Sequence, residues 1–347
     1  MITIYRKIQL WIWAYGFAII VAVLISIRLR KRMSHNAGIA GTGKIKIVDN
    51  PQFPEHDFLV AGREFPCHIR HGSVSFMDEA MKQVRSIAIK FGDNRYKSPL
   101  DMMMNTGPRS IFWSTWNFVQ FVKNRHEHGG TQYQDYYKLF PEGLAGARTG
   151  VRFRPTSFTQ LYYYAQCPVL FEGKDGIKRY VKFRVIPEDR GPESGLPSDE
   201  ILSQVWDQQV EPGETRNRNY LSEEYKQRVN SQGAKYILQF QMHNPSKEDT
   251  DKIFDSNIEW NQNTHPFMDV ANIEINHILP YEEGLKIAFS MHHHPRSLPL
   301  IPAKSIHDYN SINYMRARDT IAHLSRHWAY KIFGIPPKFP DDGPRNV

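Results

Sequence analysis

From Ile8 to Ile27 the chain carries no charged residue and is apolar almost throughout. Twenty helical residues rising about 1.5 Å each span roughly 30 Å, close to the hydrocarbon core of a bilayer. Trp11, Trp13 and Tyr15 lie near one end, where interfacial aromatics collect. Arg28, Arg30, Lys31 and Arg32 follow directly, and Arg6 and Lys7 precede. The pattern reads as a single-pass membrane anchor over residues 1–29, projecting from the rest. The heavier basic cluster puts the C-terminal side in the cytoplasm. A cleaved signal peptide is the first alternative, but it needs small residues where this chain has the basic cluster. A buried or interfacial helix is the second.

Beyond residue 30 the dominant period is two. Lys44 to Val48, Tyr236 to Met242 and Val270 to Ile278 alternate apolar and polar positions, as half-buried strands do. Leu161 to Val169 and Tyr180 to Ile186 flank Gly173-Lys174-Asp175-Gly176 and read as a hairpin. Asn36 to Gly43 is glycine-rich and reads as a loop. Phe76 to Phe91 has helical spacing (Met81, Val84, Ile87, Ala88) that runs into a strand. Ser110 to Val122 is an aromatic helix. Pro187 to Glu214, polar with Pro and Gly, reads as a surface excursion. Ser305 to Phe333 lacks Pro and Gly and reads as one terminal helix, ended by Gly334 and Pro336. Strands in the middle and a helix at the end give an α+β chain with a mainly antiparallel sheet.

The 347 residues suffice for a membrane segment and one large domain, here 30–347. A formal charge of +8 favours anionic partners: acidic lipid surfaces, carboxylates or propionates. The basic residues are scattered and form no nucleic-acid-binding signature, so nucleic acid is not an expected partner. Two cysteines, Cys67 and Cys167, imply no disulfide framework.

Several stretches resemble, in order along the chain, the catalase superfamily, and most closely its branch of catalase-related allene oxide synthases. Arg32-Met33-Ser34-His35-Asn36-Ala37-Gly38 resembles the segment with the distal histidine. Pro66-Cys67-His68-Ile69-Arg70 and Arg85-Ser86-Ile87-Ala88-Ile89-Lys90-Phe91 resemble the next strands. Met104-Asn105-Thr106-Gly107 resembles the segment with the distal asparagine. Tyr163-Tyr164-Ala165-Gln166, Tyr180-Val181-Lys182-Phe183-Arg184, Pro266 to Ala271 and Asp308 to Asn313 resemble further blocks. The likeness runs from about Arg30 to Phe333. It implies a catalase-like closed antiparallel β-barrel with surrounding helices.

It also implies haem b and a lipid (fatty-acid) hydroperoxide or peroxide as substrate, converted in allene-oxide-synthase, catalase or peroxidase fashion. His35 matches the imidazole that moves a proton between peroxide oxygens, Asn105 the amide that orients the peroxide, and Ser34 the small hydroxyl of the allene oxide synthase branch. Arg32 and Arg70 match partners of haem propionates. Phe118 matches an aromatic lying on the porphyrin, and a plain core residue is the competing reading. The family's iron ligand is a tyrosinate with an arginine four residues before it. Arg326-His327-Trp328-Ala329-Tyr330 has that spacing, making Tyr330 the expected metal ligand and Arg326 its partner. Tyr330 lies about ten residues late, however. Continuous alignment puts Arg316 and Thr320 there instead, and threonine does not ligate haem. Tyr309 and Tyr314 are reserves. His126-Glu127-His128 and His292-His293-His294 could hold a metal, but read better as solvated loops. The competing functions are a haem enzyme of lipid hydroperoxides, a haem-free catalase-like protein binding a lipophilic ligand or partner at a membrane, and a non-haem metalloenzyme.

Overall fold

The computed structural model describes residues 2–28, 30, 32, 34–35, 37–73, 78–124, 133–206, 210–316, 318 and 320–334. The alternating stretches become the strands β1 (Ala40–Ile47), β2 (Glu64–Ser73), β3 (Gln83–Lys90), β4 (Asp101–Thr106), β5 (Val151–Arg152), β6 (Tyr163–Tyr164), β7 (Val169–Glu172), β8 (Lys178–Pro187), β9 (Ala234–His243) and β10 (Met268–Ile278). Eight form a closed ring in the order β2-β1-β10-β9-β8-β6-β4-β3, with β3 pairing back onto β2. Every pairing is antiparallel. β5 hangs on β3 and β7 on β8. Closure leaves no long unpaired edge. The closed antiparallel barrel with helices expected from the sequence is therefore what the chain forms.

The period of two decides what fills the barrel. Ile45, Ile69, Ile87, Met104, Phe183, Leu238 and Ile273 point inward into one buried cluster. His71, also inward, is held by the hydroxyls of Tyr236 (2.8 Å) and Tyr163 (3.2 Å) and stacks on Phe158. Residues one position off, among them Arg70, Gly72 and Asn105, face outward, where helices cover them.

Those helices are α1 (Ile2–Ile20), continued by a π-helical stretch Val21–Arg28, α2 (Thr115–Lys123), α3 (Gln134–Leu139), α4 (Pro141–Gly150), α5 (Asp199–Leu202), α6 (Tyr220–Gln232), α7 (Tyr281–Lys286), α8 (Ser311–Arg316) and α9 (Thr320–Phe333). Ser114 caps α2, its hydroxyl accepting from the Asn117 amide.

Four local expectations change. No helix lies between β2 and β3 among the described residues; Ile87, Ile89 and Phe91 bury at a period of two, which a short apolar run does not distinguish from a helix. The hairpin partner of β8 is β7, turning at 173–176 with Gly176 at φ 74°, while β6 contributes only two residues. The terminal helix starts later and is in two parts, α8 and α9: the Asp308 carboxylate accepts from the amides of Lys304 and Ser305 and from the Ser305 hydroxyl, folding 304–308 as a turn ahead of α8. Lastly, α1 does not project from the barrel domain. Ala14 packs with Ile312 and Met315 of α8, and Val21 and Ala22 with Ala322 of α9. Phe17 meets Phe118 edge-on at 5.4 Å, and Trp13 meets Trp116 at 5.6 Å.

Candidate functional site

On the barrel's outer face, register places Gly72, Ser86, Asn105 and Tyr164 side by side across β2, β3, β4 and β6. The neighbouring row runs Ala40, Arg70, Ala88, Met103. The segment before β1 is laid along this face by hydrogen bonds between Ile39 and His71 and from the Ser73 amide to Ala37 O. Gly38 makes the approach possible, since a Cβ there would lie 2.0 Å from the His71 carbonyl oxygen. His35, in the left-handed region at φ 58°, is thereby held over Gly72. A Cβ on Gly72 would come within 3.2 Å of the His35 Cβ and 3.1 Å of Arg70 Nη1. Glycine inside a strand is a sequence signal for such close approach, and Gly72 is a site residue the sequence reading passed over.

The His35 ring is boxed in. Its Nδ1 lies 2.8 Å from the Ser34 hydroxyl, which can donate to the ring nitrogen or accept from it. Burial, then the charges of Arg70, Arg316 and Arg32, push its pKa down to about 3, against an opposing effect of Asn105 beside the ring. The imidazole is therefore neutral at physiological pH. Its Nε2 is buried with no partner in hydrogen-bonding geometry. An orphaned buried nitrogen of this kind is costly unless something else occupies it. Arg70 is buried as well, and its pKa falls to about 10 through burial, which leaves it charged.

So His35, Ser34, Asn105 and Arg70 converge, as the resemblance implies. The other expected site residues are placed differently. Arg32 Nη2 donates to the carbonyls of Leu285 (3.0 Å) and Ile287 (2.9 Å) at the end of α7, tying down a helix end. Phe118 packs between Phe112 and Phe17, a core role. Tyr330 is 36% exposed, with the Lys286 ammonium 5.0 Å from its ring centre, and faces α7 and solvent. Arg326 belongs to α9, and its side chain lies outside the described residues. Arg316 is, after Arg70, the next cation that acts on His35; its Nη2 reaches Met103 O, two residues from Asn105. The reserve tyrosines fare no better: Tyr314 lies under the Arg318 guanidinium at 3.9 Å, and Tyr309 is only partly buried.

Haem b is the group the family implies, and only half of the arrangement fits it. The orphaned Nε2 beside Asn105 suits the face where a peroxide would sit. Among the described residues, the opposite face has no donor of the required chemistry in place: Ile312 and Met315 of α8 are buried against α1, Arg316 ends that helix, and Tyr330 packs beside Lys286. The tyrosinate ligation expected at Tyr330 does not fit.

His126-Glu127-His128 lies outside the described residues. His292-His293-His294 is no simple solvated loop, because His293 Nδ1 contacts the buried Asp101 carboxylate at 2.7 Å. Among the described residues no three His, Cys, Asp or Glu side chains gather to hold a metal ion.

Burying neutral histidines makes the fold acid-sensitive. His35 and His71 each fall from an ordinary 6.5 to about 3, His71 chiefly through burial. The unfolded chain then binds more protons than the folded one between those values. Their contribution is fully present above pH 6.5 and is lost as pH falls towards 3, at roughly 1.4 kcal/mol per pH unit for each. Chemical-denaturation curves between pH 7 and 5 are expected to show that loss, and a His71→Gln background should reduce the slope. A flat profile would mean that neither ring is buried neutral.

No family model matches the chain. It is 37% identical over 290 residues to an allene oxide synthase-lipoxygenase protein of Plexaura homomalla, covering 82% of this chain and 27% of that protein. It is 29% identical over 262 residues to a linolenate 9R-lipoxygenase of Nostoc sp., covering 71% of this chain and 32% of the relative. The chain thus spans about a third or less of the length of both. Its backbone superposes on a fungal catalase with a TM-score of 0.63 and on a bacterial catalase with 0.66. Each is 17% identical and each match covers 91% of this chain, with 65% of the fungal and 60% of the bacterial catalase. The closed barrel thus has the fold of the catalases, and over most of its length the sequence resembles the allene oxide synthase-lipoxygenase protein.

Proposed function

We propose that this protein takes the hydroperoxide group of a fatty-acid hydroperoxide, or a smaller peroxide, into the pocket formed by His35, Asn105 and Gly72. The observation that carries the reading is the neutral His35 ring beside Asn105, whose Nε2 is buried with no partner in good hydrogen-bonding geometry. A neutral imidazole can accept a hydrogen bond from the hydroperoxide O–H at its unprotonated ring nitrogen, while the Asn105 amide orients the group. Arg70 adds a fixed positive charge that favours an electron-rich oxygen at this spot. The named activity of the Plexaura relative supports a lipid hydroperoxide, and the apolar helix beside the pocket supports a membrane as its source.

The proposed pocket works through its own side chains, and no step is assigned to haem b, since a tyrosinate ligand is not in place. This is the haem-free member of the expected pair of functions. The haem-dependent, allene-oxide-synthase-like enzyme is the second reading, favoured by the same orphaned Nε2, and requires an axial donor other than Tyr330. The binding reading is tested by equilibrium dialysis of a fatty-acid hydroperoxide against the matching hydroxy fatty acid. The hydroperoxide is expected to bind more tightly, by about tenfold per lost hydrogen-bonding interaction worth 1.4 kcal/mol. His35→Ala should erase the preference while leaving the melting temperature near that of the parent. Equal affinity of the parent for both lipids would remove the pocket from this role.

A further inference from the structure

The N-terminal helix satisfies a membrane's length requirement and contradicts a membrane's surroundings. Its mid-section is occupied by protein: Leu10, Ala14, Ala18, Val21 and Ala22 are each 6% exposed or less, with Ala14 packed against α8 and Val21 and Ala22 against α9. That stripe lies inside the apolar run Ile8 to Ile27. A bilayer-spanning helix would have to carry α8, α9 and the polar barrel beneath them into hydrocarbon, where unsatisfied backbone and charged groups do not go.

The opposite face is open and apolar. Ile8, Trp11, Ile12, Ile19, Ile20 and Val23 are each more than half exposed. The surface continues onto α9, which packs beside the helix and exposes Trp328, Ile332 and Phe333 at 53%, 56% and 72%. Contiguous exposed apolar surface on this scale marks a docking face. Basic residues bracket it: Arg6 and Lys7 at one end, Arg28 and Arg30 at the other, all exposed. An apolar strip with indole rings and cations at its ends matches the headgroup boundary of an anionic leaflet.

We propose that α1 lies in the plane of one leaflet, as a monotopic anchor shared with α9, instead of crossing the bilayer. Both ends of the helix and the whole barrel then stay on one side, with the face containing α8 and α9 turned to the lipid. The claim goes beyond the pocket's chemistry and stands without it.

Topology is the test, on the full chain in sealed microsomes. Cysteines placed at Thr3 and at Lys46, an exposed barrel position, are treated with a membrane-impermeant maleimide before and after permeabilisation. Cys67 is buried and Cys167 partly so, and the unsubstituted chain gives the background. Both introduced thiols are expected to react from the same side. Labelling from opposite sides would overturn the proposal in favour of a spanning helix. A second measurement uses vesicles of phosphatidylcholine with one quarter phosphatidylserine. Ile8→Glu combined with Ile19→Glu, on the open face, is expected to lower the bound fraction at least tenfold without shifting the melting temperature. Unchanged partitioning would overturn the proposal, as would a lipid-free dimer formed through this face with no vesicle binding.

Discussion

Full-length protein supplied with haem is expected to show no tyrosinate-haem Soret band at stoichiometric intensity, and Tyr330→Phe is expected to change nothing in the spectrum. The reason is placement. A phenol with a pKa near 10 becomes a ligand at neutral pH only when iron and a nearby cation favour the phenolate. Tyr330 has a cation, Lys286, but it lies on the outer side of the terminal helix, with the ring 36% exposed. Besides Arg70, a cation that acts on the pocket is Arg316, the last residue of α8, and four positions further along the chain Thr320 begins α9. That is the arginine–ligand spacing of the family with the ligand exchanged for a residue that cannot serve. Thr320→Tyr is therefore the gain-of-function variant: reconstituted with haem, it should acquire a Soret band that the parent lacks. A parent protein with a full Soret band that Tyr330→Phe abolishes would reverse this account and restore the haem enzyme.

The fold was legible because barrel strands advertise themselves. Ile87, Ile89 and Phe91, or Ile237 to Phe240, alternate or run apolar over short lengths between turn residues, and burial on one face follows from the pleat. The distal residues were legible only through resemblance: nothing in the period of the chain says that His35 and Asn105, seventy positions apart, meet on one outer face. Register does that, once β2 and β4 flank β3. The helix-end contact of Arg32 was not legible, because a guanidinium suits a carboxylate and a helix end equally well, and only the fold brings the α7 carbonyls within reach of its Nη2. The docked α1 was hidden for a simpler reason. Lipid and protein interiors select the same side chains, so twenty apolar residues do not say which they face. One clue was present: Ala14, Ala18 and Ala22 recur every fourth position, the small-residue stripe that lets helices approach closely.

Asp101→Ala is expected to be among the most destabilising single substitutions in the domain, costing about 3–5 kcal/mol because it strands a buried charge. Both side chains of the Lys90–Asp101 pair are fully buried, and the residues face each other across β3 and β4. The carboxylate accepts from Lys90 Nζ at 2.9 and 2.8 Å, from the Ser98 hydroxyl at 2.6 Å and from the Ser290 amide at 2.9 Å, and it meets His293 Nδ1 at 2.7 Å. One side chain thus fastens the loop at 290–293 to the end of the barrel, and three consecutive histidines in the sequence gave no sign of which would turn inward. Removing Asp101 leaves the Lys90 ammonium without its counter-charge in a place where burial already depresses its pKa. Removing both charges avoids that penalty, so Lys90→Met with Asp101→Leu should melt well above Asp101→Ala alone. Thermal and urea unfolding of the two variants measure the difference. If Asp101→Ala unfolds with the parent's midpoint, the pair does not hold this end of the barrel, and the loop above it must be fastened by its other contacts.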